Sequence, residues 1–314
     1  MGLRFGLLGT GHWARETQGA ALAAHPKVEL IGVWGRDPNK AAHLAAHLGT
    51  RPYTDVDALI TDVDAVAIAL PPHVQGDLAL RAARAGRHLL LDKPVSLTLE
   101  AADALLTETE TRGLASVVFF TNRFFDNVND FLRAGAAEGD WHGARATLFA
   151  SIFQPGNPYG ASPWRREKGG LWDVGPHLLS VVLPVLGSVE EVTALTGPRD
   201  STHLLTRHRG GAVGSFSMTL DAAPGTETFC IDLYGERGRR SVPGGEGDPV
   251  EAFGAAIDRL AAQVNGDPGD PCDLRFGRDV VAVLAAAEES TRSGRTVHVV
   301  EATGSNPVAS GRDS

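Results

Sequence analysis

Short apolar runs alternate with amphipathic stretches along the first 120 residues. Leu3 to Leu8 is an apolar run bounded by glycines, and Gly11 to Ala24 carries the small and apolar residues of a helix up to Pro26. Val28 to Trp34 reads as a second buried strand, Pro38 to Leu48 as an alanine-rich helix opened by proline, and Ala65 to Leu70 as a third buried strand. A helix over Val74 to Ala85, a strand over His88 to Leu91, a helix over Leu99 to Arg112 and a strand over Ala115 to Phe120 extend the rhythm of strands alternating with helices. That alternation predicts an α/β domain: a parallel sheet covered on both faces with right-handed crossovers, the doubly wound Rossmann arrangement that binds dinucleotides.

The grammar changes after Thr121. Strand-like stretches at Ala144 to Ile152, Glu191 to Leu195, Thr202 to His208, Ala212 to Leu220 and Thr228 to Tyr234 succeed one another, with Gly210-Gly211 as a hairpin signal between two of them. Leu178 to Leu186 reads as a buried helix, Val250 to Val264 and Arg278 to Ser290 as further helices, and Thr296 to Val300 as a last strand. The expected organisation is a Rossmann domain over 1–121, an α+β domain over 122–301 with an open, mostly antiparallel sheet, and a disordered tail over 302–314. An open sheet leaves one face to cover, so a homodimer or homotetramer through the second sheet is expected.

Composition narrows the partners. In 314 residues, 43% are hydrophobic and 21% charged, values of an ordinary folded domain, and 29 basic against 38 acidic residues give a net charge of −9. That balance speaks against nucleic acid or an anionic membrane as main partner. Leu178 to Leu186 is broken by Ser180 and Pro184 and falls short of the roughly 20 residues of a membrane span, and the start of the chain lacks a signal-peptide pattern, so the cytoplasm is the expected location. Cys230 and Cys272 lack the spacing of a zinc or redox motif, and no metal is expected. Only Lys27, Lys40, Lys93 and Lys168 are lysines among the basic residues, which gives weight to a lysine in a suggestive place.

Gly9-Thr10-Gly11-His12-Trp13-Ala14 is a G-x-G-x-x-A loop between the first strand and helix, where a pyrophosphate can approach backbone N–H groups. After the second strand, where NAD-specific sites usually carry an acid for the ribose, the chain has Gly35, followed by Arg36 and, four residues on, Lys40. With no carboxylate to repel it, an adenosine 2′-phosphate would be met by Arg36 and Lys40, so NADP is favoured, with NAD as the alternative; Asp37 also suits a plain helix N-cap. Asp92-Lys93-Pro94 closes a strand at the carboxyl edge of the sheet, where an ammonium can bind a substrate oxygen or simply pair with Asp92. Asp173 and His177, four residues apart after Gly169-Gly170, would share one face of a helix and cooperate on a proton, or serve as an N-cap and a core histidine.

Together these motifs resemble the glucose–fructose oxidoreductase, inositol dehydrogenase and rhizopine-catabolism (Gfo/Idh/MocA) family over residues 3 to 300. The resemblance rests on Gly9-Thr10-Gly11 with Ala14, Ala69-Leu70-Pro71-Pro72, Ala85-Gly86-Arg87-His88 before Asp92-Lys93-Pro94, and Gly169-Gly170 with Asp173, Gly175 and His177. It implies a nicotinamide-dependent oxidoreductase acting on a sugar, cyclic polyol or related carbonyl compound, with Leu70, Pro71, His73, Asp92 and Lys93 joining Gly9, Thr10, Gly11, His12, Trp13, Gly35, Arg36 and Lys40 on the cofactor side. Lys93 would touch the reacting oxygen, and Asp173 and His177 would bind substrate and exchange its proton. Arg123, Tyr159 and Trp164 are further substrate-side candidates, with Arg165 and Lys168 as neighbours that shape the pocket. Two positions depart from the family: Asp92 replaces glutamate, and Gln75 replaces a histidine, neither expected to touch the chemistry directly. Relatives that use nicotinamide transiently to cleave glycosidic bonds, and a non-catalytic cofactor-binding sensor, are the competing readings.

Overall fold

The structure is a computed structural model that describes residues 2–302. The tail expected over 302–314 therefore lies, beyond Ala302, outside the described residues.

The first half follows the alternating pattern. Strands β1 (Leu3–Leu8), β2 (Val28–Trp34), β3 (Arg51–Tyr53), β4 (Ala65–Ile68), β5 (His88–Asp92) and β6 (Ser116–Phe119) form one parallel sheet in the order β3-β2-β1-β4-β5-β6. Every residue of β4 and β6 is buried, as strands covered on both faces must be. The connections are α1 (Ala20–Ala24), entered through a π-helical segment Ala14–Gly19, then α2 (Pro38–His47), α3 (Val56–Thr61), α4 (Pro72–Arg84) and α5 (Leu99–Thr111). Asp37 caps α2 by accepting the N–H groups of Asn39 and Lys40, and Thr98 caps α5 through the N–H of Ala101. β3 and α3 carry no signal in the apolar pattern: β3 is a three-residue edge strand with Arg51 and Pro52 exposed. The chain order reverses between β1 and β4, and ligands of such sheets bind outside the strand ends at that point.

In the second half, a 3₁₀ turn at Thr121–Phe124 and α6 (Asp126–Glu138) lead into β7 (Trp141–Phe149), α7 (Pro163–Asp173), α8 (Gly175–Leu186), β8 (Val189–Thr196), β9 (Thr202–His208), β10 (Val213–Thr219), β11 (Thr228–Gly235), β12 (Gly238–Ser241), α9 (Pro249–Val264), α10 (Leu274–Ser293) and β13 (Val297–His298). The sheet order is β12-β11-β7-β10-β9-β8-β13, with β7 and β10 parallel and the other pairs antiparallel. β9 alternates strictly: Thr202, Leu204, Thr206 and His208 are buried, while His203, Leu205 and Arg207 are exposed on the opposite face. α8 and α10 cover the buried face.

The stretch Pro163–Leu186 is apolar and long enough to pass for a membrane span by composition, but 83% of its apolar 18-residue part is buried inside the fold, where α7 and α8 supply the core of the second half. The two halves share that core. α9 follows the second sheet in sequence yet packs against β5 and β6 of the first, with the Phe253 ring meeting Phe119 edge-on at 4.9 Å.

Candidate active site

A cavity of about 680 Å³ opens outside the carboxyl ends of β1, β4 and β5 and is closed on its far side by the loop before α7 and the starts of α7 and α8. Gly11, His12, Trp13, Lys40, Leu70, Pro71, Asp92 and Lys93 line it from the first sheet; Tyr159, Trp164, Arg165, Asp173 and His177 line it from the second half. His12 and Tyr159 meet edge-on across it at 5.7 Å.

The glycine loop fits a dinucleotide. Gly9 turns the chain with φ +137°, and its Cβ, if it had one, would lie 2.4 Å from the Ala69 carbonyl oxygen, so the turn admits no side chain. Nothing lies within 4 Å of where a Gly11 side chain would begin, which leaves the loop backbone open to the cavity. The indole Nε1 of Trp13 is buried without a hydrogen-bond partner among the described residues, a donor left over at the cavity wall. Gly35 does not reach the cavity; a Cβ there would stand 2.5 Å from Thr10 Cγ2. Thr10 therefore packs where the ribose-binding acid of an NAD site would begin. Arg36 is exposed and has no hydrogen-bond or ion-pair partner among the described residues, while Lys40 lies on the cavity wall.

Asp173 is the electrostatic hub. It ends α7, and the Lys93 ammonium donates to its backbone carbonyl at 2.8 Å and to its Oδ1 at 3.2 Å, while Arg165 Nε donates to Oδ2 at 2.8 Å. Burial alone would raise this carboxyl, but the two cations outweigh it and hold it down at about 2, so it stays ionised. Arg165 is itself fixed between aromatic faces, its guanidinium carbon 4.7 Å from the ring centres of both Tyr159 and Trp164. His177 lies in the first turn of α8, beyond a break at Val174, and still reaches the same cavity as Asp173. Burial, reinforced by the Lys93 charge, lowers its imidazole to about 3. Its ring makes no hydrogen bond among the described residues, so at neutral pH it is an uncharged base facing the cavity.

Two residues that the sequence does not single out as functional hold these groups in place. Gln75 is fully buried on α4; its Oε1 accepts the Asp92 N–H at 2.9 Å, and its Nε2 donates to the carbonyls of Asp92 at 2.7 Å and Pro94 at 3.1 Å. Gln75 thus ties both flanks of Lys93 to α4. A sequence signal exists: Gln75 shares the buried helix face with Ala79 and Ala82, where a polar residue needs a partner. Asp200, far along the chain, accepts the Gly170 N–H at 2.8 Å, and a Cβ on Gly169 (φ +63°) would fall 2.2 Å from its Oδ2. The glycine pair therefore gives the β8–β9 loop room to clasp the helix that ends in Asp173.

The structure moves other candidates away from the cavity. Thr10 and Gly35 pack behind its wall, and His73 is exposed on α4. Lys168 pairs with Glu288 at 2.9 Å, alongside the Trp172 indole that also donates to Glu288, and so does not shape the pocket. Arg123, expected on the substrate side, is only 4% exposed and lines a different cavity, its Nη1 donating to the Ser180 carbonyl at 3.0 Å. The 3₁₀ turn after β6 points it behind α8 instead of into the cleft.

Residues 3–120 match the sequence profile of the GFO_IDH_MocA oxidoreductase family with its NAD-binding Rossmann fold, and residues 138–241 match the GFO/IDH/MocA C-terminal domain. The chain is 34% identical over 286 residues to a UDP-N-acetylglucosamine 3-dehydrogenase of Acidithiobacillus ferrooxidans, covering 83% of this chain and 86% of that protein. It is 30% identical over 251 residues to a dTDP-3,4-didehydro-2,6-dideoxy-alpha-D-glucose 3-reductase of Streptomyces antibioticus, covering 76% and 74%. Among solved structures, the WlbA dehydrogenase of Bordetella pertussis, in complex with NADH and UDP-GlcNAcA, superposes with a TM-score of 0.83 at 23% identity, covering 95% of this chain and 98% of that one. That likeness establishes the fold.

Proposed function

Because the chain belongs to the GFO/IDH/MocA family of oxidoreductases, we propose that it oxidises a secondary alcohol, or reduces the matching ketone, of a sugar or related cyclic polyol, with NADP as the preferred cofactor. A bound nicotinamide supplies the chemistry of accepting or giving a hydride. The observation that carries the reading is the convergence of Lys93 from the first half with Asp173 and His177 from the second in the cavity that the glycine loop opens onto. The Lys93 ammonium binds the substrate oxygen and favours negative charge developing on it. Uncharged His177 takes the hydroxyl proton in oxidation and returns it in reduction. Asp173, permanently ionised, anchors Lys93 and offers an acceptor to substrate hydroxyls.

The sugar class is supported by the names of the relatives, two of which act at carbon 3 of nucleotide-linked sugars. NADP is supported by the absence of a carboxylate at Gly35, the room taken by Thr10, and two cations at Arg36 and Lys40. The uncovered face of the second sheet presents Leu195 at 69%, Leu205 at 56% and Val213 at 48% exposure, and a second copy of this chain is the proposed cover. Light scattering would show a dimer or tetramer that Leu205→Glu dissociates; a monomeric wild type would refute that part.

The function is tested by titrating cofactor-stripped protein with NADPH and NADH, followed by a sugar and polyol panel read at the nicotinamide absorbance. Tighter NADPH binding with turnover supports the proposal. Tighter NADH binding removes the roles of Arg36 and Lys40, and binding without turnover on any sugar removes the assignment of Lys93 and His177.

A further inference from the structure

A second cavity, of about 490 Å³, lies between α8, α10 and the segment that follows β13. Its walls are largely apolar, from Leu183, Pro184, Phe276, Val283 and Val299, and none of its lining residues belongs to the active-site cavity. Three arginines reach it, and they differ in how their charge is met. Arg209 pairs with Glu301, and Arg275 pairs with Glu110. Arg123 has no acidic partner among the described residues, although it is 96% buried by its 4% exposure.

A buried guanidinium without a counter-charge is costly, and the cost is not met locally. The Ser180 carbonyl takes one of its N–H groups and the Phe276 ring lies 5.6 Å from its carbon, but Nε is left without a hydrogen bond. The nearby Cys272 thiol supplies no charge, because burial pushes it up to about 12. Asp270, also close by, is paired with Arg259 at 3.6 Å, and Asp279, on the cavity wall, faces Arg278 at 3.6 Å. Arg275 adds a second orphan, its buried Nη1, on the same cavity.

We propose that this cavity is a second binding site, separate from the reaction centre, for a small carboxylate with a compact apolar body. The carboxylate meets Arg123, with Arg275 beside it, and the apolar part fills the space between α8 and α10. A carboxylate is the chemistry that matches a planar guanidinium fork, and the apolar walls exclude a strongly hydrated sugar or inorganic anion. Nothing in this proposal depends on the nicotinamide reaction.

The test is calorimetric titration of the full chain with sodium hexanoate and benzoate against the neutral hexanamide and benzamide, without cofactor or sugar. Each carboxylate is expected to bind at least ten-fold more tightly than its amide. Arg123→Met should erase that preference, and Val283→Trp, which fills the cavity without touching a charge, should abolish binding of both. Equal affinity for acid and amide in the wild type, no binding of either acid at millimolar concentration, or binding undiminished in Val283→Trp overturns the proposal even if Arg123→Met fails to fold. Binding that emerges only in a variant ending at Ala302 also overturns it, because the cavity would then be the seat of the protein's own following segment.

Discussion

Arg165 and Arg123 line two separate cavities and are handled in opposite ways. Both guanidinium groups lie against aromatic rings, Arg165 between Tyr159 and Trp164 and Arg123 over Phe276. Arg165 shares the ionised Asp173 with Lys93, so two cations and one buried carboxylate form a closed electrostatic unit. Arg123 is the more buried of the two and has only a carbonyl and a ring. Where the counter-charge is built in, the cation serves to position another group; where it is missing, the cation awaits one from outside. The same residue type thus supports the proposed reaction centre in one cavity and the proposed carboxylate site in the other.

The largest effect should come from the closed unit itself. Lys93→Ala removes the oxygen ligand and should lower kcat by about two orders of magnitude or more in the nicotinamide assay, with cofactor affinity kept; a change of only a few-fold would take Lys93 out of the mechanism. His177→Ala should fall in the same range and lose the proton-transfer step, visible as partial rescue by added imidazole.

Stability should then separate the two arginines. Arg165→Met strips one charge-assisted hydrogen bond from buried Asp173 and should cost about 2 kcal/mol in denaturant unfolding, part of it recovered by Arg165→Lys. Arg123→Met relieves an unpaired buried charge while losing a single bond to Ser180, so its stability should stay within about 1 kcal/mol of wild type. The comparison breaks if Arg123→Met is the more damaging of the two, which would reveal a counter-charge already in place.

The smallest effect is in pH. Burial lifts Asp92 to about 6, despite the Lys93 charge, whereas Asp173 is held at about 2. For Asp92, whose folded-state value is raised, the stability it contributes is complete below the ordinary carboxylate range and is lost as pH rises through 6. For Asp173, whose value is depressed, the stability is present above that range and is lost as pH falls toward 2. Asp92→Asn should therefore gain a few degrees of Tm over wild type between pH 5 and 7 and no advantage at pH 4, read by calorimetry across that range.

Much of the site was legible because its residues cluster in short motifs. Gly9, Gly11 and Lys93 follow strand ends, which in a doubly wound sheet have only one place to go, while Asp173 and His177 flank the break between α7 and α8. Arg123 also follows a strand end, but one 3₁₀ turn sends it behind α8, a change of direction that residue types alone do not encode. Gln75 looked like a departure from a family pattern and is instead the tie on both sides of Lys93, because its amide has a donor and an acceptor to give to Asp92.

The sequence by itself determined the alternation of strands and helices, the change to a second sheet after Thr121, and the choice of groups proposed to react, since these rest on period, turn chemistry and the few residues able to move a proton. Only the tertiary structure decided which charges meet. The pairing of Asp173 with both Lys93 and Arg165, the clasp of Asp200 on Gly170 and the isolation of Arg123 join residues up to 80 positions apart or leave one alone, and burial sets their energies. Electrostatic strength depends on distance and on exclusion of water, and neither is a property of a residue until the chain has folded around it.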